Sequence, residues 1–235
     1  MTATATPREA TLPPGQPSLA RLAPLGVLLA GTAAVTAVAL ALPAPALGWR
    51  LLAVVVLFHV AMLAMSARWA LPGWRLAWCV LAPLSVLMVL PDWFLSAELG
   101  TLVFADTGVP VLGTVPVYMA GMWVMALFPL VVLGAWVEQR SDARAALAAV
   151  AVGGLTFFFV AEALAPLVPL WEPVGVAMLG PVAAYVLLPE MVLSVAAWLL
   201  VRGADRRPLA WTAAGVVALP FLYLGMLATS YQVLG

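Results

Sequence analysis

After residue 20 the chain reads as seven apolar runs, separated by short stretches that hold nearly all of its charges. The runs fall at Leu22–Leu42, Trp49–Met65, Leu76–Leu90, Val115–Val137, Ala145–Leu164, Val176–Val201 and Leu209–Tyr231. A helix needs roughly 17–25 apolar residues to cross hydrocarbon, and most of these runs match that length. Barrel strands would be about half as long and would alternate polar with apolar positions. Inside a bilayer each segment must satisfy its own backbone hydrogen bonds, so the runs predict helices. Prolines at 43, 72, 166 and 208 punctuate the connections, where a missing backbone donor costs little. The expected fold is an all-α, polytopic integral membrane bundle of seven transmembrane helices. Residues 1–20 are rich in Pro, Thr and Ala and lack periodicity, which predicts a disordered cytoplasmic tail ahead of one domain over 21–235.

Composition supports lipid as the solvent. Apolar residues make up 66% of the chain and charged residues 9%, with a mean hydropathy of +1.13. So few charges cannot cover a soluble domain of 235 residues. The formal net charge is zero and there are no basic runs, which argues against a nucleic-acid partner. The single cysteine, Cys79, lies in an apolar run and is expected to be a small buried hydrophobe. Leu22–Leu42 follows Arg8 and Arg21 and precedes Ala44-Pro45-Ala46, much as a signal core precedes its cleavage site. It is longer than the about 7–15 residues of such a core, so a retained first helix is expected.

Arginine sets the orientation, because the chain contains no lysine. Arg8, Arg21, Arg68, Arg75, Arg140, Arg144, Arg202, Arg206 and Arg207 fall on the N-terminal tail and the even-numbered connections, and only Arg50 falls on the other side. That bias predicts a plasma-membrane protein with a cytoplasmic N-terminus and an external C-terminus. Trp49, Trp93 and Trp171 then lie near the outer interface, and Trp69, Trp74, Trp136 and Trp211 near the inner one.

Two stretches are alike. Residues 104–118 read FADTGVPVLGTVPVY and residues 171–185 read WEPVGVAMLGPVAAY, matching Gly108 with Gly175, Gly113 with Gly180 and Tyr118 with Tyr185 without a gap. Each joins an outward-running helix to an inward-running one, which predicts a tandem, parallel helical-hairpin repeat around a shared central site. Chance similarity between two segments rich in glycine and valine is the plainer alternative.

Ionisable groups within hydrocarbon are functional candidates, because burying a charge there costs several kcal/mol. Glu190 follows Pro189 about 15 residues into the sixth run, roughly 20 Å from its start at the helical rise. As a neutral acid it could bond the carbonyl that Pro189 frees, or protonate an alkene in a dry cavity; it could equally serve packing alone. His59 is the only histidine, and it is either a packing partner or part of an acid–histidine pair with Glu190. Asp92 closes the third run and Glu162 lies near the outer end of the fifth, with Glu98, Asp106 and Glu172 also on the outer side. Asp92 and Glu162 are the better candidates, since the repeat would place both at the cavity's rim. Met119, Met122 and Met125 share a helix face beside Trp123, which suits either an adaptable apolar pocket or ordinary packing.

Several classes are excluded. A retinal Schiff base needs a lysine. No paired Asp-rich motif is present for magnesium and diphosphate, and one histidine cannot build a multi-histidine metal site. Phosphate loops, dinucleotide fingerprints and nucleophile elbows are also missing. No cofactor is expected.

The stretch PDWFLSAELGTLVFADTGVPVLGTVPVYMAGMW, residues 91–123, resembles a segment shared by an uncharacterised family of small polytopic membrane proteins, with the likeness extending over about 50–201. Asp92-Trp93 and Pro189-Glu190 also resemble motifs of the lycopene cyclase-type membrane proteins, which include carotenoid and meroterpenoid cyclases. That family's Pro-x-Glu-Glu is not reproduced, since one stretch has Pro116-Val117-Tyr118 and the other Pro189-Glu190-Met191. The resemblance implies an enzyme that cyclises or isomerises a lipophilic, isoprenoid-like substrate by protonation. Glu190 would be the acid, with Asp92 or Glu162 as counterpart and His59 as a further candidate. Tyr118, Tyr185, Trp123, Trp93, Met119 and Met122 would line the substrate site, their aromatic faces stabilising a cation. Two other classes stand beside this one: a proton- or ion-coupled small transporter through Glu190, His59 and Glu162, and a non-catalytic membrane assembly subunit. Partners are limited to a lipophilic small molecule and membrane lipid, with homo-oligomerisation left open.

Overall fold

The computed structural model describes residues 16–168 and 170–234. It contains seven helices long and apolar enough to cross a membrane: α1 Leu22–Ala41, α2 Leu47–Arg68, α3 Pro72–Glu98, α4 Met119–Arg140, α5 Ala143–Leu167, α6 Ala184–Ala204 and α7 Leu209–Leu234. These are compatible with a multi-pass membrane protein. α4 and α6 are the most enclosed, with 50% and 56% of their apolar windows buried, against 17% for α1 and α5.

The connections alternate in character. At one end the chain turns within a few residues at 69–71, 141–142 and 205–208. Asp142 caps α5 there, accepting from the backbone N–H of Arg144 and Ala145 at 2.8 Å each. Glu138 of α4 takes a bidentate bond from Arg202 of α6, with a closest approach of 2.6 Å.

The opposite end is built differently. Each of the long connections, between α3 and α4 and between α5 and α6, carries three short strands: β1 Leu102–Phe104, β2 Val111–Leu112 and β3 Val115–Pro116 in the first, and β4 Trp171–Pro173, β5 Met178–Leu179 and β6 Val182–Ala183 in the second. β2 and β3 pair with Leu112 opposite Val115, and β5 and β6 pair with Leu179 opposite Val182. Each turn is two residues long and opens on a glycine at positive φ, +66° at Gly113 and +64° at Gly180. That is the conformation such tight hairpins require at their first central residue. Trp93 lies against Gly113, where a Cβ would stand 2.6 Å from the indole Cδ1. β1 and β4 then pair with each other, antiparallel, joining the two connections.

These strands explain where the helices depart from the apolar runs. The fourth and sixth runs were expected to be helical from Val115 and Val176, but Val115 and Val182 are buried strand residues, and the helices begin at Met119 and Ala184. α3 runs past Leu90 to Glu98, so Asp92 lies inside it rather than closing it. Its last turn, Phe94–Glu98, is a widened π-turn.

Three further positions differ from expectation or qualify it. Cys79 is exposed on α3, not buried. Residues 1–15 of the expected tail lie outside the described residues, whereas Gln16–Leu19 form a helical turn with Leu19 buried. That turn docks on the start of α3, where the Ser18 hydroxyl accepts from Gly73 N–H at 2.9 Å. Arg50, the one arginine near the strand-bearing end among the described residues, donates to the carbonyls of Ala39, Leu40 and Leu42, satisfying the orphan acceptors at the end of α1.

Helices approach closely where α4, α5 and α6 meet. A Cβ on Gly134 of α4 would stand 2.5 Å from Trp198 Cδ1 on α6 and 2.7 Å from Val150 Cγ2 on α5. Gly134→Val is expected to cost about 1–3 kcal/mol through overpacking. Gly225→Ala, where nothing lies within 4 Å, should change little. Thermal denaturation of the two detergent-solubilised variants, followed by fluorescence-detected gel filtration, compares them directly.

Candidate functional site

Beneath the β1–β4 pair lies a cavity of about 390 Å³. Its wall is almost wholly apolar, with residues from all seven helices and both β1 and β4. Three carboxyl groups interrupt it: Asp92 of α3, Glu162 of α5 and Glu190 of α6. Among the described residues no basic side chain lines it.

The three acids are held in different ways. Asp92 is 4% exposed, and its Oδ2 accepts from the Trp123 indole N–H at 3.1 Å. Glu162 Oε1 accepts from the Trp171 indole N–H, also at 3.1 Å, which ties α5 to β4. Glu190 is 5% exposed, and its Oε2 is buried with no hydrogen-bond partner. Ser194 approaches Glu190 only to donate to its backbone carbonyl, at 2.7 Å. The bond to the carbonyl freed by Pro189, one of the alternatives open in the sequence, is therefore not made by Oε2. Among the described residues no group of three or more His, Cys, Asp or Glu side chains is placed to hold a metal ion.

Glu190 also sits nearer the strand-bearing end than the apolar run suggested. It is the seventh residue of α6, about 9 Å along the axis from the helix start. The shift follows from the strands, which occupy the residues counted as the first two turns of helix.

Aromatic rings surround the acids. Trp123 packs on Phe158 at 5.8 Å between centroids and edge-on to Tyr223 at 5.7 Å. Tyr185 donates to or accepts from Thr101 at 3.0 Å and stacks edge-on with Tyr231 at 5.8 Å. Met119, Met122 and Met125 all reach the wall, so the methionine face of α4 lines the pocket.

Of the residues singled out from the sequence, Glu190, Asp92, Glu162, Trp123, Tyr185, Met119 and Met122 converge here. His59, Tyr118 and Trp93 do not line the cavity. His59 Nδ1 accepts from the Trp78 indole at 2.9 Å, so in the neutral ring Nε2 carries the proton and donates to the Gly121 carbonyl at 3.1 Å. Both ring nitrogens are thus used in joining α2, α3 and α4, and the acid–histidine pair is not formed. Tyr118 is buried in a separate cluster with Leu51, Val55 and Val115. Trp93 packs against the β2–β3 turn instead. Sequence reasoning missed Tyr223 and Phe158, which are ordinary aromatics in apolar runs and carry no signal of which face they occupy.

The architecture defines a seven-helix bundle enclosing an apolar, acid-bearing cavity. The chain belongs to the family described as a domain of unknown function, DUF6989, which matches residues 89–234. The match takes in the end of α3, both strand-bearing connections and α4 to α7, and it supports the likeness to an uncharacterised family over a different span than 50–201. No curated protein and no solved structure matches the chain.

Trp123→Phe would remove the donor to Asp92 and leave a buried acceptor without it. The expected loss is about 1–3 kcal/mol. Adding Asp92→Leu to the same chain should recover part of that loss, since the stranded group is then gone. A double-mutant cycle of melting temperatures in one detergent reads both.

Proposed function

We propose that this protein is a membrane enzyme that isomerises or cyclises a lipophilic, unsaturated substrate by protonating it, with Glu190 as the acid. One observation carries the reading: a carboxyl oxygen without a partner, buried in the wall of a largely apolar cavity. An unpaired carboxylate in such a wall is costly, and the protonated acid is far less so. A protonated acid facing an alkene is the starting arrangement that this chemistry needs.

The step balances without another reactant. Glu190 gives its proton to one alkene carbon, forming a C–H bond as the π bond opens and leaving a cation on the neighbouring carbon. The faces of Trp123, Phe158 and Tyr223 lie where they can stabilise that cation. Either a neighbouring C–H releases its proton at once, or a second double bond first closes on the cation and a C–H beside the new cationic carbon then releases its proton. The proton returns to a carboxylate, either Glu190 or Asp92, and the product has the mass of the substrate.

The two strand-bearing connections are read as a tandem repeat. Their turns share one register, with glycine at the same two points, φ +76° and +66° at Gly108 and Gly113 and +65° and +64° at Gly175 and Gly180. In that frame Trp123 lies five residues beyond Tyr118 and Glu190 five beyond Tyr185. The repeat thus sets an indole donor and a free acid at equivalent places facing one cavity. The arginine bias orients this end outward from the plasma membrane. A proton- or ion-coupled path through His59 is less well supported, because both its ring nitrogens are engaged away from the cavity.

The test uses the purified protein in liposomes with a panel of linear isoprenoid alkenes, run in D2O. The reading expects a product isomer carrying one deuterium on carbon, and a loss of at least about 100-fold in Glu190→Gln, the scale of general acid catalysis. Turnover unchanged by that substitution, or no isomer across the panel, would overturn it.

A further inference from the structure

The cavity is closed toward the strand-bearing end. β1 and β4 pair with Leu102 opposite Pro173, Val103 opposite Glu172 and Phe104 opposite Trp171. Side chains alternate across a strand. Leu102, Phe104, Trp171 and Pro173 accordingly line the cavity, while Val103 and Glu172 are exposed on the other face. Backbone bonds from Ala105 to Leu170 at 3.1 Å and from Val174 to Thr101 at 2.9 Å extend the ladder past both ends. The Glu162–Trp171 bond fastens this roof to α5. The cavity is closed below as well. One turn further from the strands than Asp92, Trp123, Glu190 and Tyr223, the bundle is filled by Met88, Leu127, Leu193 and Leu219, all buried.

The side is different. α1 contributes Thr36 and Leu40 to the wall and α5 contributes Phe157 and Phe158, yet these two helices do not pack along each other. Leu40 and Phe157 are each 37% exposed. α1 and α5 are also the least enclosed of the seven helices. In a bilayer a cleft between them faces acyl chains, not water.

We propose that the substrate is a membrane-dissolved hydrocarbon chain, taken sideways from the bilayer through the cleft between α1 and α5. This deepens the acid-enzyme reading and rests on it for the word substrate. It also narrows the chemistry. A molecule passing between Leu40 and Phe157 into a wall that has no basic side chain among the described residues carries no anionic headgroup, which excludes diphosphate esters and phospholipids and leaves free polyenes or their neutral oxygenated forms.

The test reads occupancy of the cavity, not turnover. Leu40→Cys and Phe157→Cys are introduced with Cys79→Ala, and bifunctional maleimides of graded length are used to bridge the cleft in liposomes. A long-chain alkene bearing a diazirine is dissolved in the bilayer and photolysed, and labelled peptides are mapped by mass spectrometry. Labelling of the α4 and α6 cavity segments should fall at least tenfold in the bridged protein, while labelling of lipid-facing Val56 and Val217 holds. Thr36→Trp, which fills the cleft without cross-linking, should lower the same labels. Cavity labelling that persists undiminished in both variants would overturn the proposal. So would equal labelling by the same probe carrying a phosphate headgroup. Glu190→Gln is expected to label normally, so failure of the acid reading and failure of the cleft are told apart.

Discussion

Carboxyl groups in an apolar wall without a cation to pair them are the constraint around which this bundle is arranged. Each acid removed from water must find a donor, stay neutral or destabilise the fold. Asp92 and Glu162 find indole N–H groups, and tryptophan suits that task because its single donor sits on a large apolar body. Glu190 finds none for Oε2. A chain under no functional demand could place leucine there, as it does at Leu193 a turn away. The unsatisfied carboxyl oxygen is thus a feature of the cavity wall that packing alone does not account for.

The strands make that arrangement possible. α3 already packs on α4 and α5 on α6, and short connections between them would close the bundle at this end as well. Instead each long connection folds into a hairpin and then pairs with its counterpart through β1 and β4. The pairing satisfies backbone groups that would otherwise be stranded near hydrocarbon, and it spans the space between the helices. The π-turn at Phe94–Glu98 belongs to the same design, since it follows the turn bearing Asp92 and feeds the chain into β1. At the other end the demand is ordinary. Short turns, an aspartate cap and the Arg202–Glu138 pair close the helices together.

Much of this was legible in the residues. Run length located all seven helices, because a helix that must cross hydrocarbon has little freedom in length. Helix boundaries at the strand-bearing end were not legible, since Val115, Val176 and Val182 read equally well as strand or helix. The likeness of 104–118 to 171–185 falls on two segments that each carry a hairpin, but the sixth run read as helix across Gly180, where the chain in fact makes a tight turn. Among the candidate residues the acids were found by their rarity. His59 was rare as well, yet its surroundings, Trp78 and the Gly121 carbonyl, come from two other helices and leave no trace near it in the chain. Tyr223 and Phe158 were invisible for the opposite reason, because apolar helices supply aromatics on every face.

The central claim is that Glu190 presents its carboxyl to a dry, apolar chamber, and carbodiimide chemistry tests it most directly. A hydrophobic carbodiimide dissolved in the membrane should modify Glu190, while a water-soluble one should modify exposed Glu98, Asp106 and Glu172 and spare it. Modification of Glu190 by the water-soluble reagent at the rate of those exposed acids, or its failure to react with the hydrophobic one, would contradict the account.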